Sequence, residues 1–314
     1  MAMKIIVTHM SPDWDAISSV WLLKKYLSGW QDAGVRFVPA GTRLGARGKG
    51  LGERELHPSP LTLNPNPNPI ENIGGDEVIH VDTGMGPLDH HQTQDTNVSA
   101  ASVTWDYVRK MFKEAGSELS SEHEEAVSRI VKVIVDTDHF KEVFWPDAAA
   151  DRYEFSLLGL LDGLKYEKPN QDMFYLDFGI QSLNAMVATF ENRIWAEEEI
   201  KEKGVKFSTK FGKGMGFETI NDTVLKLAQK MGYVLVIRKD PRKGYVRIKA
   251  LPSTEQNKGA DLTLVYEQLK KIDPDATWFL HVSKKMLLNG SPKNPKMRPT
   301  KLGLSDIIKV VERI

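Results

Sequence analysis

A chain of 314 residues is too long for a small stapled domain and is long enough for two lobes. Its 42 lysines and arginines are balanced by 42 aspartates and glutamates, which excludes a polycation that grips nucleic acid by net charge; any such contact needs a local basic surface. The absence of cysteine excludes disulfides, thiolate zinc sites and a cysteine nucleophile. Hydrophobic residues at 41% and charged residues at 27% are ordinary for a globular protein. The amino terminus lacks a signal-peptide pattern and no apolar run is long enough to span a bilayer, so a soluble, cytoplasmic protein without membrane contact is expected.

In chain order, Lys4–Thr8 is a short apolar run, the pattern of a buried strand. His9, Asp13 and Asp15 follow on a loop, and Ala16–Leu27 carries apolar residues at helical spacing. Val35–Pro39 looks like the next strand, which makes a βαβ start and a parallel sheet. Such sheets bind ligands beyond the carboxyl ends of their strands, where His9, Asp13 and Asp15 sit. The stretch 41–75 reads as a loop or flap, with Arg43, Arg47, Lys49 and Arg54 among glycines and then Asn-Pro repeats. It is either a solvated insertion or an arginine-bearing lid over an anionic substrate.

Glu77–Val81 is predicted as a strand that leaves through Asp82, and a Gly-Pro loop leads to Asp89, His90 and His91. Helices are expected over Ser99–Ala115, Glu122–Val135 and Asp151–Leu164. The second of these runs directly into Asp136-Thr137-Asp138-His139. A long connecting helix spans Gln171–Lys203, stopped by Gly204. Beyond it Val205–Phe211 alternates imperfectly, and Asn221 is positioned to cap a helix through Met231. Tyr233–Arg238 and Tyr245–Ala250 should form a hairpin, followed by a helix at Asp261–Ile272, a strand at Thr277–Val282 and a last helix at Ser305–Ile314. The predicted organisation is a catalytic domain over 1–170, a connecting helix over 171–203 and a smaller α/β lobe over 204–314.

The acids and imidazoles fall where predicted strands and helices end. Singly each has an ordinary explanation: Asp13 or Asp15 could simply cap the following helix, His90 and His91 could be loop residues, and Asp136 could only end a helix. Together they converge on one sheet edge. His9 and Asp13 on a tight loop could hold one cation while Asp15 reaches a second, with Asp82 bridging both through its two oxygens. Two ions about 3.5–4 Å apart polarise a phosphoryl group and lower the pKa of a shared water.

The order His9-x3-Asp13-x-Asp15, Val81-Asp82, Asp89-His90-His91 and Asp136-Thr137 resembles the four motifs of the DHH phosphoesterase superfamily. That superfamily includes RecJ-type exonucleases, nanoRNase and phosphoadenosine-phosphate phosphatases, cyclic-dinucleotide phosphodiesterases and family II pyrophosphatases. Asp89–Gln92, the long helix and Trp278–His281 are also similar to a second exonuclease branch of it. The resemblance covers roughly the first 140 residues. It implies an α/β fold: a parallel-sheet DHH-type N-terminal lobe joined by the long helix to the smaller C-terminal lobe, with the active site in the cleft between them.

By that resemblance His9, Asp13 and Asp82 would hold one divalent ion, and Asp15, Asp82, His90 and Asp136 a second, with Asp138 as the alternative to Asp136. Mn²⁺ is the expected metal, with Mg²⁺ or Co²⁺ as alternatives. His91 would contact the scissile phosphate and Asp89 would orient a neighbouring imidazole. Nuclease-type members end in a glycine-rich GGH-like segment. This chain has instead His281 through Asn289, Gly290 and Ser291, followed by Lys293, Lys296 and Arg298, which are expected to form a phosphate-binding wall.

The expected reaction is hydrolysis of phosphodiester or phosphomonoester bonds in a short oligonucleotide or phosphorylated small molecule, with a homodimer left open. The alternatives are a small-phosphate hydrolase such as a pyrophosphatase, and a non-catalytic nucleotide sensor.

Overall fold

The computed structural model describes residues 2–44, 68–254, 259–291, 294 and 296–314. The chain divides into two compact units, Met1–Glu191 and Asn192–Ile314, and the division falls inside one long helix.

Unit 1 begins with β1 (Lys4–His9), α1 (Trp14–Tyr26) and β2 (Gly34–Val38). Two further strands, β3 (Ile70–Ile73) and β4 (Asp76–His80), complete a sheet of order β2-β1-β4-β3. β1 runs parallel to both β2 and β4, while β3 is an antiparallel edge. The expected parallel sheet is therefore mixed at one margin. β3 also corrects the expectation that 41–75 is loop throughout: Ile70 and Ile73 pack on the sheet, a pattern too short and too close to prolines to read from sequence. Arg43 pairs with Glu71 of this strand. Arg47, Lys49, Arg54 and most of the Asn-Pro repeat lie outside the described residues.

The helices α2 (Ala100–Glu114), α3 (Ser121–Asp138), α4 (Asp151–Glu154), α5 (Leu157–Glu167) and α6 (Asp172–Lys203) follow. The single helix expected over 151–164 is broken, because Ser156 caps α5 with its hydroxyl accepting from the Gly159 N–H. α3 runs three residues beyond its expected end. Its buried stripe of Val127, Ile130, Val131, Ile134 and Val135 continues at helical spacing to Asp138, not to Asp136. The core of unit 1 packs Ile6, Ile79 and Val81 against Ile17, Trp21 and Leu22 of α1, with Trp105, Tyr175 and Leu176. Each such burial contributes about 1.5–3 kcal/mol. α6 comes close to α1 through Gly179, where a Cβ would stand 2.4 Å from Ile17 Cγ2.

Unit 2 contains β5 (Val205–Thr209), β6 (Gly212–Glu218), α7 (Thr223–Lys230), β7 (Leu235–Lys239), β8 (Val246–Ala250), α8 (Thr263–Ile272), β9 (Trp278–Leu280), β10 (Met286–Asn289) and α9 (Leu304–Glu312). Its sheet has the order β5-β6-β7-β8-β10-β9, antiparallel except for the β6–β7 pair that α7 connects. The predicted β7–β8 hairpin is present. β6 and β10 are additional to the predicted elements. β6 hides in its glycines, which are needed for close approach: a Cβ on Gly214 would meet the Phe207 ring at 2.2 Å, and one on Gly216 would meet Ile308 at 2.9 Å. Alternation along β7 sends Leu235 and Ile237 into the core shared with α8 and α9. Val236 points to the opposite face, with α7.

Candidate metal centre

Because β1 and β4 are parallel neighbours, their carboxyl ends emerge at the same sheet edge. His9 closes β1, and Val81 donates its N–H to Val7 O at 2.9 Å, so Asp82 leaves beside His9. Asp82 is buried, 3% exposed, and holds a left-handed backbone at φ 52°. Aspartate tolerates that region better than most residues, and a conformation of this kind at a buried acid is the sort of strain that collects at functional sites.

Asp13 does what its ordinary reading predicts: it caps α1, its Oδ1 accepting from the N–H groups of Asp15 and Ala16 at 3.0 Å each. Its other oxygen is left facing His9 Nε2 at 3.7 Å. Asp15 is buried in the first turn of α1, and its two oxygens accept from Ala100 N–H at 2.7 Å and Ala101 N–H at 2.8 Å. The start of α1 is thus tied to the start of α2, whose N-terminal dipole favours the negative charge. Asp89 organises the following loop, accepting from Met85 N–H at 2.7 Å and His91 N–H at 3.1 Å. The same carboxylate holds the His91 ring through Nδ1 at 2.7 Å.

Two sets of donor atoms meet across Asp82. On one side, its Oδ2 lies 3.2 Å from His9 Nε2, which also faces Asp13. On the other, His90 Nε2 lies 3.6 Å from Asp82 Oδ1, 3.6 Å from Asp15 Oδ2 and 3.5 Å from Asp138 Oδ2. Donors about 2.1 Å from one cation stand about 3.0 Å apart at a right angle and about 3.4 Å apart at the tetrahedral angle, so these spacings match a coordination polyhedron within a few tenths of an ångström. Asp82 Oδ1, His90 Nε2 and Asp138 Oδ2 are all buried without a hydrogen-bond partner, a costly arrangement unless a ligand satisfies them. Among the described residues, Asp82-His90-His91, His90-Asp138-His139 and His9-Asp13-Asp82 are each grouped closely enough to hold a metal ion. His139 is the member that sequence reasoning did not place; its Nε2–H donates to Val98 O at 2.8 Å.

The electrostatics have one cause, several acids buried together. Burial, with Asp82 and Asp138 nearby, pushes Asp15 up to about 8, against the pull of the Ala101 N–H. Burial likewise raises Asp138, helped by Asp13 and Asp82 and opposed by His90 and His139. Burial opposes charge on His9, but the Asp82 hydrogen bond and Asp13 outweigh it and raise the imidazole to about 9. Asp82 likewise raises His90 to about 9, with Asp138 and Asp15 adding to it against burial. Asp89 raises His91.

Both His9 and His90 therefore carry a proton at neutral pH when no cation is bound, and a cation must displace it. Manganese affinity is expected to rise with pH below about 9, by up to about tenfold per unit for each proton displaced, and to level off above. Calorimetric titrations between about pH 6 and 8 measure this, and an affinity independent of pH would contradict it.

Other expected site residues stand elsewhere. Asp136 pairs with Lys141 at 3.5 Å and is 35% exposed; the acid from the end of α3 that lies beside His90 is Asp138. Asn289 is fully buried: its amide donates to Thr277 O and Arg298 O and its oxygen accepts from Thr300 N–H. It ties three backbone segments together and, being fully buried, is not presented to a substrate. Gly290 packs on the Tyr245 ring. His281 bonds Ser283 in the β9–β10 turn, whereas Asn289 pairs with Trp278 at the other end of that hairpin. His281 and Asn289 thus stand at opposite ends of the hairpin, while Ser291 lines a cavity with Arg238 and Arg247. Lys296 and Arg298 are exposed, and Lys293 lies outside the described residues.

No protein-family model matches the chain, and no curated protein matches it. Among solved structures it is similar to RecJ of Thermus thermophilus in complex with Mg²⁺, at 11% identity and a TM-score of 0.25, over 99% of this chain and 49% of that one. The chain thus spans about half the length of that protein. No helix among the described residues is long and apolar enough to cross a membrane. What the chain itself presents is a mixed α/β unit whose strand ends gather buried acids and imidazoles able to hold a divalent cation.

Proposed function

We propose that the chain is a metal-dependent phosphoesterase of the DHH type that hydrolyses short oligonucleotides or nucleotide derivatives. One divalent ion belongs with His9, Asp13 and Asp82, the other with Asp15, Asp82, His90 and Asp138, and manganese is the first candidate. The observation that carries this reading is Asp82 facing a different donor set with each oxygen, beside orphaned donors on His90 and Asp138. The motif order in the sequence points to the same chemistry.

Bound cations of this kind supply Lewis acidity and a water of lowered pKa. The chain's own residues do the rest. Asp82 holds the two donor sets in fixed relation, and Asp15 fixes its own position through α2. His91 is 57% exposed and anchored through Nδ1, so its Nε2 is left to approach a phosphate oxygen. Asp89 raises the basicity of that ring, which favours the imidazolium and its charge-assisted hydrogen bond to phosphate.

A manganese-supplemented assay with pyrophosphate, phosphoadenosine phosphate, cyclic dinucleotides and short RNA tests the reading. Turnover of the nucleotide substrates is expected. Turnover of pyrophosphate alone would make the protein a small-phosphate hydrolase, and bound nucleotide without turnover of any member would overturn catalysis.

A further inference from the structure

Unit 2 contains a candidate site of its own. A cavity of about 510 Å³ lies where the β7–β8 turn meets the segment before α7 and the residues after β10; it is lined by Asp222, Arg238, Arg242, Lys243, Tyr245 and Arg247, among others. Arg238 and Arg247 are direct cross-strand partners. Like charges placed so are destabilising unless an anion separates them. Asp222 does this for both: Arg238 Nε is 2.7 Å from its Oδ1, and Arg247 Nη1 pairs with its Oδ2. One carboxylate against two guanidiniums leaves a positive charge uncompensated.

The other carboxylate is largely spent. Asp240 Oδ1 accepts from the N–H groups of Arg242 and Lys243 at 2.8 and 3.1 Å and so builds the turn, while its Oδ2 stands 3.9 Å from Arg238 Nη1. The side chains of Arg242 and Lys243 are exposed, and among the described residues no carboxylate pairs with either. The cavity therefore has four cationic side chains against two acids. The Arg238 side chain is only 8% exposed, and its Nε, like that of Arg247, is buried without an aligned hydrogen-bond acceptor. Burial lowers both guanidinium pKa values, so an entering anion would relieve a real electrostatic cost.

We infer that this cavity binds the phosphate or diphosphate group of a small phosphorylated molecule through Arg238, Arg247, Arg242 and Lys243. A surplus of two positive charges matches a phosphate dianion, and paired guanidiniums suit its oxygens. The volume falls within the range of small-molecule pockets and exceeds what a bare phosphate needs. Tyr245 and Ile220 offer apolar surface to the remainder. The inference stands on unit 2 alone and holds whatever unit 1 catalyses.

The test is calorimetric titration of the metal-stripped, full-length chain with inorganic pyrophosphate, which separates it from any hydrolysis assay. Saturable binding at one equivalent per chain is expected, weakened tenfold or more by the Arg242→Ala/Lys243→Ala double substitution. Both side chains are exposed and their backbone groups make the turn contacts, so the melting temperature should not change. Wild-type affinity in the double variant would overturn the assignment, as would a wild-type chain that takes up no pyrophosphate.

Discussion

Asp82→Asn should abolish metal-dependent phosphoester hydrolysis while leaving the fold intact. Asparagine tolerates the left-handed backbone that Asp82 adopts, and the backbone N–H that bonds Leu88 O is unchanged. What is lost is the charge shared between the two donor sets. Metal-assisted charge stabilisation is worth several kcal/mol, and each ~1.4 kcal/mol is a factor of ten in rate, so kcat should fall by ~10³-fold or more. Asp82 also sustains the proton affinity of both imidazoles, so the pKa values of His9 and His90 should drop in the same variant, readable by NMR titration of the metal-free protein. Turnover within tenfold of wild type would refute a shared carboxylate.

A second large effect separates two acids only two residues apart. Asp138→Ala should reduce turnover by ~10²-fold or more, because it removes a buried oxygen beside His90. Asp136→Ala should change turnover by less than about twofold, since it breaks only a partly exposed pair with Lys141. Stability should show the reverse of what mere disruption would give. Asp138 is half-buried beside acids that disfavour its charge, so in the absence of metal its removal should not lower the melting temperature, and metal should stabilise the variant less than the wild type. Steady-state kinetics on the two variants with manganese decides the matter, and equal losses would mean that neither acid has a special place.

The sequence displayed much of this and hid some of it for physical reasons. The strand–loop–helix start was legible because β1 is buried on both faces and α1 begins at a capping aspartate. Asp13 shows that capping does not exhaust an acid: one oxygen caps α1 and the other faces His9. Motif order favours Asp136 and leaves Asp138 as the alternative, and it is Asp138 that lies beside His90. The stripe of Val127, Ile130, Val131, Ile134 and Val135 continues at helical spacing to Asp138, which is why that acid and not Asp136 faces inward.

In unit 2 charge density along the chain does not reveal which basic residues meet in space. Lys296 and Arg298 are exposed, whereas Arg238 and Arg247 lie on different strands and become a pair only through the β7–β8 register. Asn289 resembles part of a phosphate loop in sequence; only the fold reveals that it is fully buried with both amide hydrogens donated to backbone carbonyls. β3 and β6 escaped because prolines near one and glycines within the other erase the alternation that marks a strand.

The manganese titration that yields the pH dependence also tests the centre itself. Native mass spectrometry of the chain equilibrated with manganese should reveal two ions per molecule, with one lost in His9→Ala and the other in His90→Ala. A wild-type chain that retains no manganese at saturating concentration, or an Asp82→Asn chain that retains both ions with unchanged affinity, would contradict the account.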